Sequence, residues 1–321
     1  MIKPYPLCFR PIYRDYLWGG NRIIAKYKRR KMLEVHAESW EICDRDDACS
    51  VVENGPFKGK NLRDVLSIWQ EKLLGKKSFK FPLLVKIIDS KDILSVQVHP
   101  DEKAANKLKG EAKTECWYVL EAKKRAFFYV GLKKGLSKKG IQKAVVSDKC
   151  IDVINKVYVK SGDMIFIPAG CVHALGKGVL VLEVQQNSNT TYRLYDWGRK
   201  GLDGQARPLH IQEAMASLHL DAIGPFVKKR KLKKKGKDFA LYGLIKCPYF
   251  TVDKLCVKSS LSLAMKKGNF SIFFIERGEG TLCYDNFKIN LKEGKTILVP
   301  AYCKDIKLYN KSKSLDIIWI Y

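Results

Sequence analysis

The 321-residue sequence predicts a mainly β protein of jelly-roll or sandwich type with helical insertions, and three observations lead there. First, short apolar or alternating runs bounded by Gly, Pro and Asp recur at residues 81–88, 93–98, 116–120, 164–167 and 179–184, with the length and composition of strands. Second, helical patterns are few, at 62–74, 101–108, 138–154 and 208–218. Third, the chain repeats itself. GDMIFIPAGCVH at 162–173 aligns with GKTILVPAYCKD at 294–305, an offset of 132 residues that keeps the glycine, the apolar strand and the Pro-Ala turn. One barrel is duplicated. His173 of the first copy becomes Asp305 in the second and Glu115 becomes Ser271, so the second copy is expected to carry no metal.

These signals divide the chain into residues 1–227, with a helical insertion at about 133–157, and a second strand-rich part at 239–321. Between them, 228–238 is expected to be a basic linker. KKRKLKKKGK at 228–237 holds eight basic residues in ten. Such a run suits a nucleic-acid or membrane patch, but a solvated loop is the reading preferred for a lone charge run.

Forty-six per cent hydrophobic residues suffice for a full core, and no stretch approaches the ~18 apolar residues of a membrane helix. The opening MIKPYPLCFRPIYRDY lacks the apolar centre of a secretory signal, and ten scattered cysteines contain no C-x-x-C pair. A cytoplasmic protein with reduced thiols is expected, without a membrane partner. The net charge of +27 favours anionic partners, a phosphorylated metabolite among them, although much of it is lysine spread over the surface.

Four segments carry chemistry. In SVQVHP at 95–100, strand alternation puts Ser95, Gln97 and His99 on one side and Val96 and Val98 on the other. Polar groups aimed into a barrel are costly without a partner such as a metal. In GEAKTECW, Lys113 and Glu115 alternate with Thr114 and so share a side. In IPAGCVHAL, Pro168, Ala169 and Gly170 form a tight turn ahead of His173, a frame characteristic of cupins. Imidazole, carboxylate and amide oxygen suit zinc or another divalent ion. Two of five histidines fall in these frames; His36, His210 and His219 are read as structural or surface residues. In LEVQQNSNTTYRLYDWGR at 182–199, Glu183 is a carboxylate within an apolar strand, which needs a cation nearby or a raised pKa. Arg193 offers a planar fork to a phosphate or an enediolate oxygen, with a salt bridge to Asp196 as the plain alternative.

Taken together, YLWGG at 16–20, AESWEICD, FPLLVKIID, LSVQVHPDE, KTECWYVL, IPAGCVHALGKGVLVLEVQQ, TTYRLYDW and the ARPLHI segment resemble the bacterial type I phosphomannose isomerases over about two thirds of the chain. The resemblance implies cupin barrels and one zinc ion per chain held by Gln97, His99, Glu115 and His173. It implies interconversion of mannose 6-phosphate and fructose 6-phosphate through a cis-enediol. Ser95, Lys113, Glu183, Arg193 and Trp18 match site positions of the family. Arg193 is expected to stabilise the enediolate or hold the sugar, and Lys113 to help bind substrate. Glu183 is the first choice of base, with Lys113 or a metal-activated water as rivals. The family's usual acidic residue before T-T-Y-R is replaced by Asn189, which removes a charge near the site.

The expected partner is a small sugar phosphate, with no specific nucleic acid, in a monomer or weak homo-oligomer. Competing readings are a lapsed metal-binding cupin, another cupin sugar-phosphate isomerase, and a nucleic-acid binder. The last lacks a recognition motif.

Overall fold

Strands dominate the computed structural model, which describes residues 2–200, 204–222, 224 and 226–321. The chain divides into two compact units. One comprises Tyr13–Trp40 and Leu83–Lys228; the other comprises the segment ending at Ile12, Glu41–Pro82 and Lys229–Tyr321.

A seven-stranded sheet, most of whose residues belong to the first unit, runs in the order Val227–Lys228, Met164–Ile167, Glu115–Ala122, Val179–Gln186, Leu83–Ser90, Glu38–Ile42, Ile12–Arg14. A five-stranded sheet runs Tyr192–Tyr195, Val96–Val98, His173–Leu175, Phe127–Leu132, Ile154–Tyr158. The pairings from Val227–Lys228 through to Leu83–Ser90 in the larger sheet, and all four in the smaller one, are antiparallel. Trp117, Val119 and Val181 from the first sheet meet Phe128, Val130 and Leu175 from the second in one buried cluster. Full burial of such side chains contributes about 1.5–3 kcal/mol each.

The other unit repeats this arrangement. Its eight-stranded sheet contains Thr296–Val299, Ser271–Arg277, Leu315–Ile320 and Thr251–Val257 side by side, and its four-stranded sheet runs Ser260–Ala264, Asp305–Asn310, Gly280–Tyr284, Phe287–Leu291. The register confirms the duplication residue by residue. Ile167 faces Glu115, and its counterpart Val299 faces Ser271. His173 faces Gln97, and its counterpart Asp305 faces Ala264. Ala264, Lys266, Ser271 and Asp305 therefore stand where the first unit has Gln97, His99, Glu115 and His173.

Three expectations differ from the structure. A boundary does fall near 227, between Lys228 and Lys229, but the later unit also takes in the segment ending at Ile12 and Glu41–Pro82: the early strand Leu7–Arg10 pairs with Thr296–Val299 on one side and Val51–Val52 on the other. The expected helix at 138–154 spans only Lys138–Val146. Ser147 caps it, Asp148 turns left-handed at φ 60°, and Ile154–Tyr158 then pairs as a strand with Phe127–Leu132. The basic run is not a linker: Lys231–Lys235 is an edge strand paired with Phe239–Lys246. Its lysines are exposed, as suits an edge that must not pair with another chain. The exception reaches inward. Lys233 sits at a register shift, and its stem passes Gly243, where an added Cβ would come within 2.6 Å of it, so that Nζ lies 2.6 Å from the buried carboxylate of Asp253. Among the described residues, no helix is long and apolar enough to cross a membrane.

Candidate metal and active site

Short devices in the first unit aim the functional side chains. The turn Pro168–Gly170 is closed by Cys171 N–H donating to Pro168 O at 3.1 Å, which starts His173 on its strand. Gly170 has φ +80°, and an added Cβ would lie 2.4 Å from the His219 ring, so only glycine fits. Gly170 N–H also donates to His99 O at 2.8 Å, tying the two histidine segments together. After His99, Asp101 caps the helix Glu102–Leu108 by accepting from Ala104 N–H at 2.7 Å. At the other end of the site, Trp18 is set by the two glycines that follow it. A Cβ on Gly19 would strike Ala37, and one on Gly20 would strike Asp89, whose carboxylate holds Arg22 Nε at 2.8 Å.

His99, Glu115 and His173 are buried, and their ligand atoms lie within 4.8 Å of one another. Each imidazole faces backbone oxygen with Nδ1, His99 with Thr190 O and His173 with Cys171 O, both at 2.9 Å. Nδ1 must then carry the proton, which leaves Nε2 as a bare lone pair. Burial, reinforced for His99 by the Lys113 charge, lowers both pKa values, that of His99 to about 3. The rings are neutral. His99 Nε2 nonetheless lies 3.4 Å from one Glu115 oxygen and His173 Nε2 lies 3.3 Å from the other. Burial raises the Glu115 pKa, but Lys113 and the imidazoles outweigh it and hold the carboxyl well below its usual value.

Acceptors facing acceptors with no proton between them are unfavourable unless a cation joins them. Gln97 completes the set, its amide nitrogen 3.1 Å from His173 Nε2; a half-turn of the amide presents its oxygen instead. Two imidazoles, a carboxylate and an amide oxygen fit a divalent ion of zinc type, with the carbonyls behind both histidines fixing ring orientation.

Beside this cluster lies a polar cavity of about 280 Å³, lined by Ser95, Gln97, Lys113, Glu183, Asn189 and Arg193 among others. Trp18 closes one wall. The structure thus brings every predicted site residue to one place. A larger, mostly apolar cavity of about 690 Å³ shares Tyr16, Trp18 and Arg207 with it but holds none of the metal-type ligands.

Lys86, Glu38 and Trp117 also line the polar cavity and were not foreseen. Lys86 Nζ lies 3.1 Å from Glu183 Oε1 and 3.5 Å from Glu38 Oε2, while Lys113 Nζ lies 2.8 Å from Glu115 and 4.0 Å from Glu183. Trp117 and Trp40 indoles donate to Glu183 and Glu38 at 2.8 and 2.7 Å. Carboxylates and ammoniums thus alternate from Glu38 to Glu115. Burial alone would lower the Lys86 pKa; the surrounding carboxylates outweigh it and raise it, so this lysine stays charged. Burial and the Glu115 charge raise the Glu183 pKa against the opposing pull of Lys86 and Lys113. Lys86 had a legible signal, a lone cation in FPLLVKIID, the mirror of Glu183 in GVLVLEV.

The plain alternative for Arg193 does not hold. Asp196 is engaged by Arg199 and Arg207, and Arg193 spends one N–H on Pro208 O at 2.8 Å. His210, read as structural, helps set Arg193: its Nδ1 accepts from the Arg193 backbone N–H at 3.3 Å.

Comparison with known proteins agrees with this geometry. The family description "Phosphomannose isomerase type I, catalytic domain" matches residues 7–126, and "Mannose-6-phosphate isomerase, cupin domain" matches 241–316. The chain is 35% identical to mannose-6-phosphate isomerase ManA of Bacillus subtilis over 94% of this chain and 95% of that protein. It is 33% identical to mannose-6-phosphate isomerase of Streptococcus mutans, covering 98% and 97%. The crystal structure of the mannose 6-phosphate isomerase from Bacillus subtilis superposes with a TM-score of 0.91 at 29% identity, covering 98% of this chain and 99% of that one. Sequence, fold and the ligand cluster agree: the chain belongs to the type I phosphomannose isomerase family.

Proposed function

We propose that this chain interconverts mannose 6-phosphate and fructose 6-phosphate with one zinc ion held by Gln97, His99, Glu115 and His173. The observation that carries the reading is the convergence of unprotonated acceptors at His99, Glu115 and His173 beside a polar cavity that also presents Lys113, Glu183 and Arg193. When bound, the metal supplies positive charge that orients the sugar oxygens and favours the enediolate over the carbonyl.

The residues divide the remaining work. Glu183 takes the proton from C2 of the open-chain aldose. The C–H electron pair forms the C1–C2 double bond, and charge moves onto O1. A proton passes from the O2 hydroxyl to O1, which moves the charge onto O2, and the proton held by Glu183 is then returned to C1 as that charge collapses to the ketone, so no external oxidant is needed. A carboxyl raised by burial but tied to two ammoniums is suited to both halves of this transfer. Lys86 holds Glu183 in place and keeps it ionised before the transfer. Lys113 and Arg193 face the developing negative charge, and Ser95 and Trp18 shape the wall against which the sugar lies. Asn189 lines the same cavity and can accept a hydrogen bond without adding charge, so tuning rather than loss of activity follows.

We take the enzyme to be cytoplasmic and to act as a monomer or weak homo-oligomer. The test is a coupled assay for fructose 6-phosphate formation on metal-stripped protein, with and without added zinc, repeated on His173→Ala. Activity that requires zinc and is absent from the variant is expected. Zinc binding without turnover would replace this reading with a lapsed cupin; full activity of the stripped protein would remove the metal from it.

A further inference from the structure

Arg207 has no part in the scheme above, yet it lines the polar cavity and stands where that cavity meets the larger one. Its guanidinium is built in. Nε donates to Asp196 Oδ2 at 2.7 Å and Nη2 to Oδ1 at 2.6 Å, a two-point hold by a carboxylate only 6% exposed. Of the five N–H donors of an arginine, three are left for a ligand. Arg193 lies close enough to feel this charge: burial, then Arg207, lowers the Arg193 pKa. The strand that carries Arg193 is tied to the segment carrying Arg207, because Arg193 Nη1 donates to Pro208 O and His210 N–H donates to Arg193 O, both at 2.8 Å.

Charge separates the two ends of the cavity. The inner end alternates Glu38, Lys86, Glu183, Lys113 and Glu115, three carboxylates against two ammoniums, an excess of one negative charge. The outer end carries Arg193, Arg199 and Arg207 against Asp196, an excess of two positive charges. A hexose 6-phosphate has the same polarity, with its reacting carbons at one end and a dianion at the other. Arg193 lines the same cavity, and its backbone pairs in register with Gln97.

We propose that Arg207, preset by Asp196, is the residue that selects the phosphorylated sugar, gripping the 6-phosphate together with Arg193 at the outer mouth of the site. The inference rests on the sugar-phosphate reading above and assigns specificity to a residue distant from the proton transfer. Asp196 fixes the fork before substrate arrives, so little ordering is required on binding.

The experiment compares wild type, Arg207→Ala and Arg207→Lys in the zinc-loaded enzyme, reading kcat and KM for mannose 6-phosphate and competitive inhibition by inorganic phosphate. Loss of charged hydrogen bonds to a remote group raises KM roughly 10- to 100-fold in Arg207→Ala with kcat within about threefold. Inhibition by inorganic phosphate should weaken by the same factor, and Arg207→Lys should recover part of both. An unchanged KM, or phosphate inhibition equal in wild type and Arg207→Ala, overturns the assignment and leaves Arg207 as a brace for Asp196. Should Arg207→Ala fail to fold, Arg207→Lys decides, because its ammonium keeps the charge without the two-point fork. Wild-type protein inactive on mannose 6-phosphate would instead sink the functional reading itself.

Discussion

Replacing Lys86 by Met tests the buried charge row directly. Lys86 is 10% exposed and lies between Glu183 and Glu38, themselves 4% and 9% exposed, so its removal leaves Glu38 without its ammonium and Glu183 with only Lys113, 4.0 Å away, in the protein interior. Breaking a buried pair costs about 3–5 kcal/mol. Here each carboxylate keeps one indole N–H, from Trp117 and Trp40, which puts the expected loss near the low end, about 3 kcal/mol at pH 8. The Glu183 pKa is already raised in the folded protein and must rise further without the ammonium. A raised carboxyl penalises folding above its folded pKa, and the penalty fades as pH falls and the proton is taken up. The deficit of Lys86→Met should therefore be smaller at pH 5 than at pH 8. Urea unfolding followed by two coincident probes gives the stabilities. The double variant Lys86→Met/Glu183→Gln should recover about 2 kcal/mol relative to the sum of the single changes. A penalty under about 1 kcal/mol, one independent of pH, or strict additivity would refute the pairing as the reason these groups are buried together.

Three further outcomes follow from the geometry. Gly170→Ala forces a non-glycine residue to φ +80° and a Cβ against the His219 ring, so the turn that connects His99 with His173 must shift; zinc affinity, measured by chelator competition, should fall roughly tenfold or more, and unchanged affinity would show the turn to be dispensable. All ten cysteines are free, and burial pushes Cys43, Cys150, Cys171 and Cys303 up to about 12, so a thiol reagent at pH 8 should react in native protein only with the half-buried Cys49, Cys247, Cys256 and Cys283. Rapid modification of more than these four before denaturant is added would contradict that burial. Within the basic run, Lys233→Ala should cost about 1 kcal/mol in urea unfolding, discounted because the lysine is 40% exposed, whereas Lys231→Ala and Lys235→Ala should stay within about 0.5 kcal/mol; equal effects would mean that no lysine is individually placed.

The parts of the site legible in the sequence were those where a side chain conflicts with its own strand. Gln97 and His99 sit in SVQVHP, and Glu183 in an apolar strand; each points to a polar partner between the sheets. Lys86 obeys the same rule, as a lone cation in the apolar part of FPLLVKIID, whose strand is buried along its whole length much as that of Glu183 is. Glu38 and Arg207 were not legible because their partners, Lys86 and Asp196, come from other elements that only the fold brings near. Tertiary pairing also decided the basic run. Its composition argued for a solvated loop, yet a backbone ladder to Phe239–Lys246 and a single ion pair to Asp253 make it a strand. The helix expected to reach Ile154 failed for a local reason, since Asp148 at positive φ ends it and frees Ile154–Tyr158 to complete the smaller sheet.

The duplication shows what separates a metal cupin from a structural one on the same scaffold. Both units carry the glycine-led strand and the Pro-Ala turn, with Cys171 and Cys303 N–H closing that turn onto Pro168 and Pro300 O at 3.1 and 3.0 Å. The pleat delivers inward positions equally in both. In the later unit the counterpart of His99 is Lys266, whose Nζ lies 5.5 and 5.0 Å from the ring centroids of Trp319 and Tyr321. Trp319 occupies the counterpart of Glu183, because Trp117 faces Glu183 as Phe273 faces Trp319, and it packs into that unit's apolar core. An ammonium over aromatic faces is satisfied where it lies. Converging imidazole and carboxylate acceptors are not satisfied by one another, so the first unit keeps a cluster that could hold a metal ion where the later unit has an ammonium over aromatic rings. That difference in side chains, on the same strand and turn, is what sets the two copies apart.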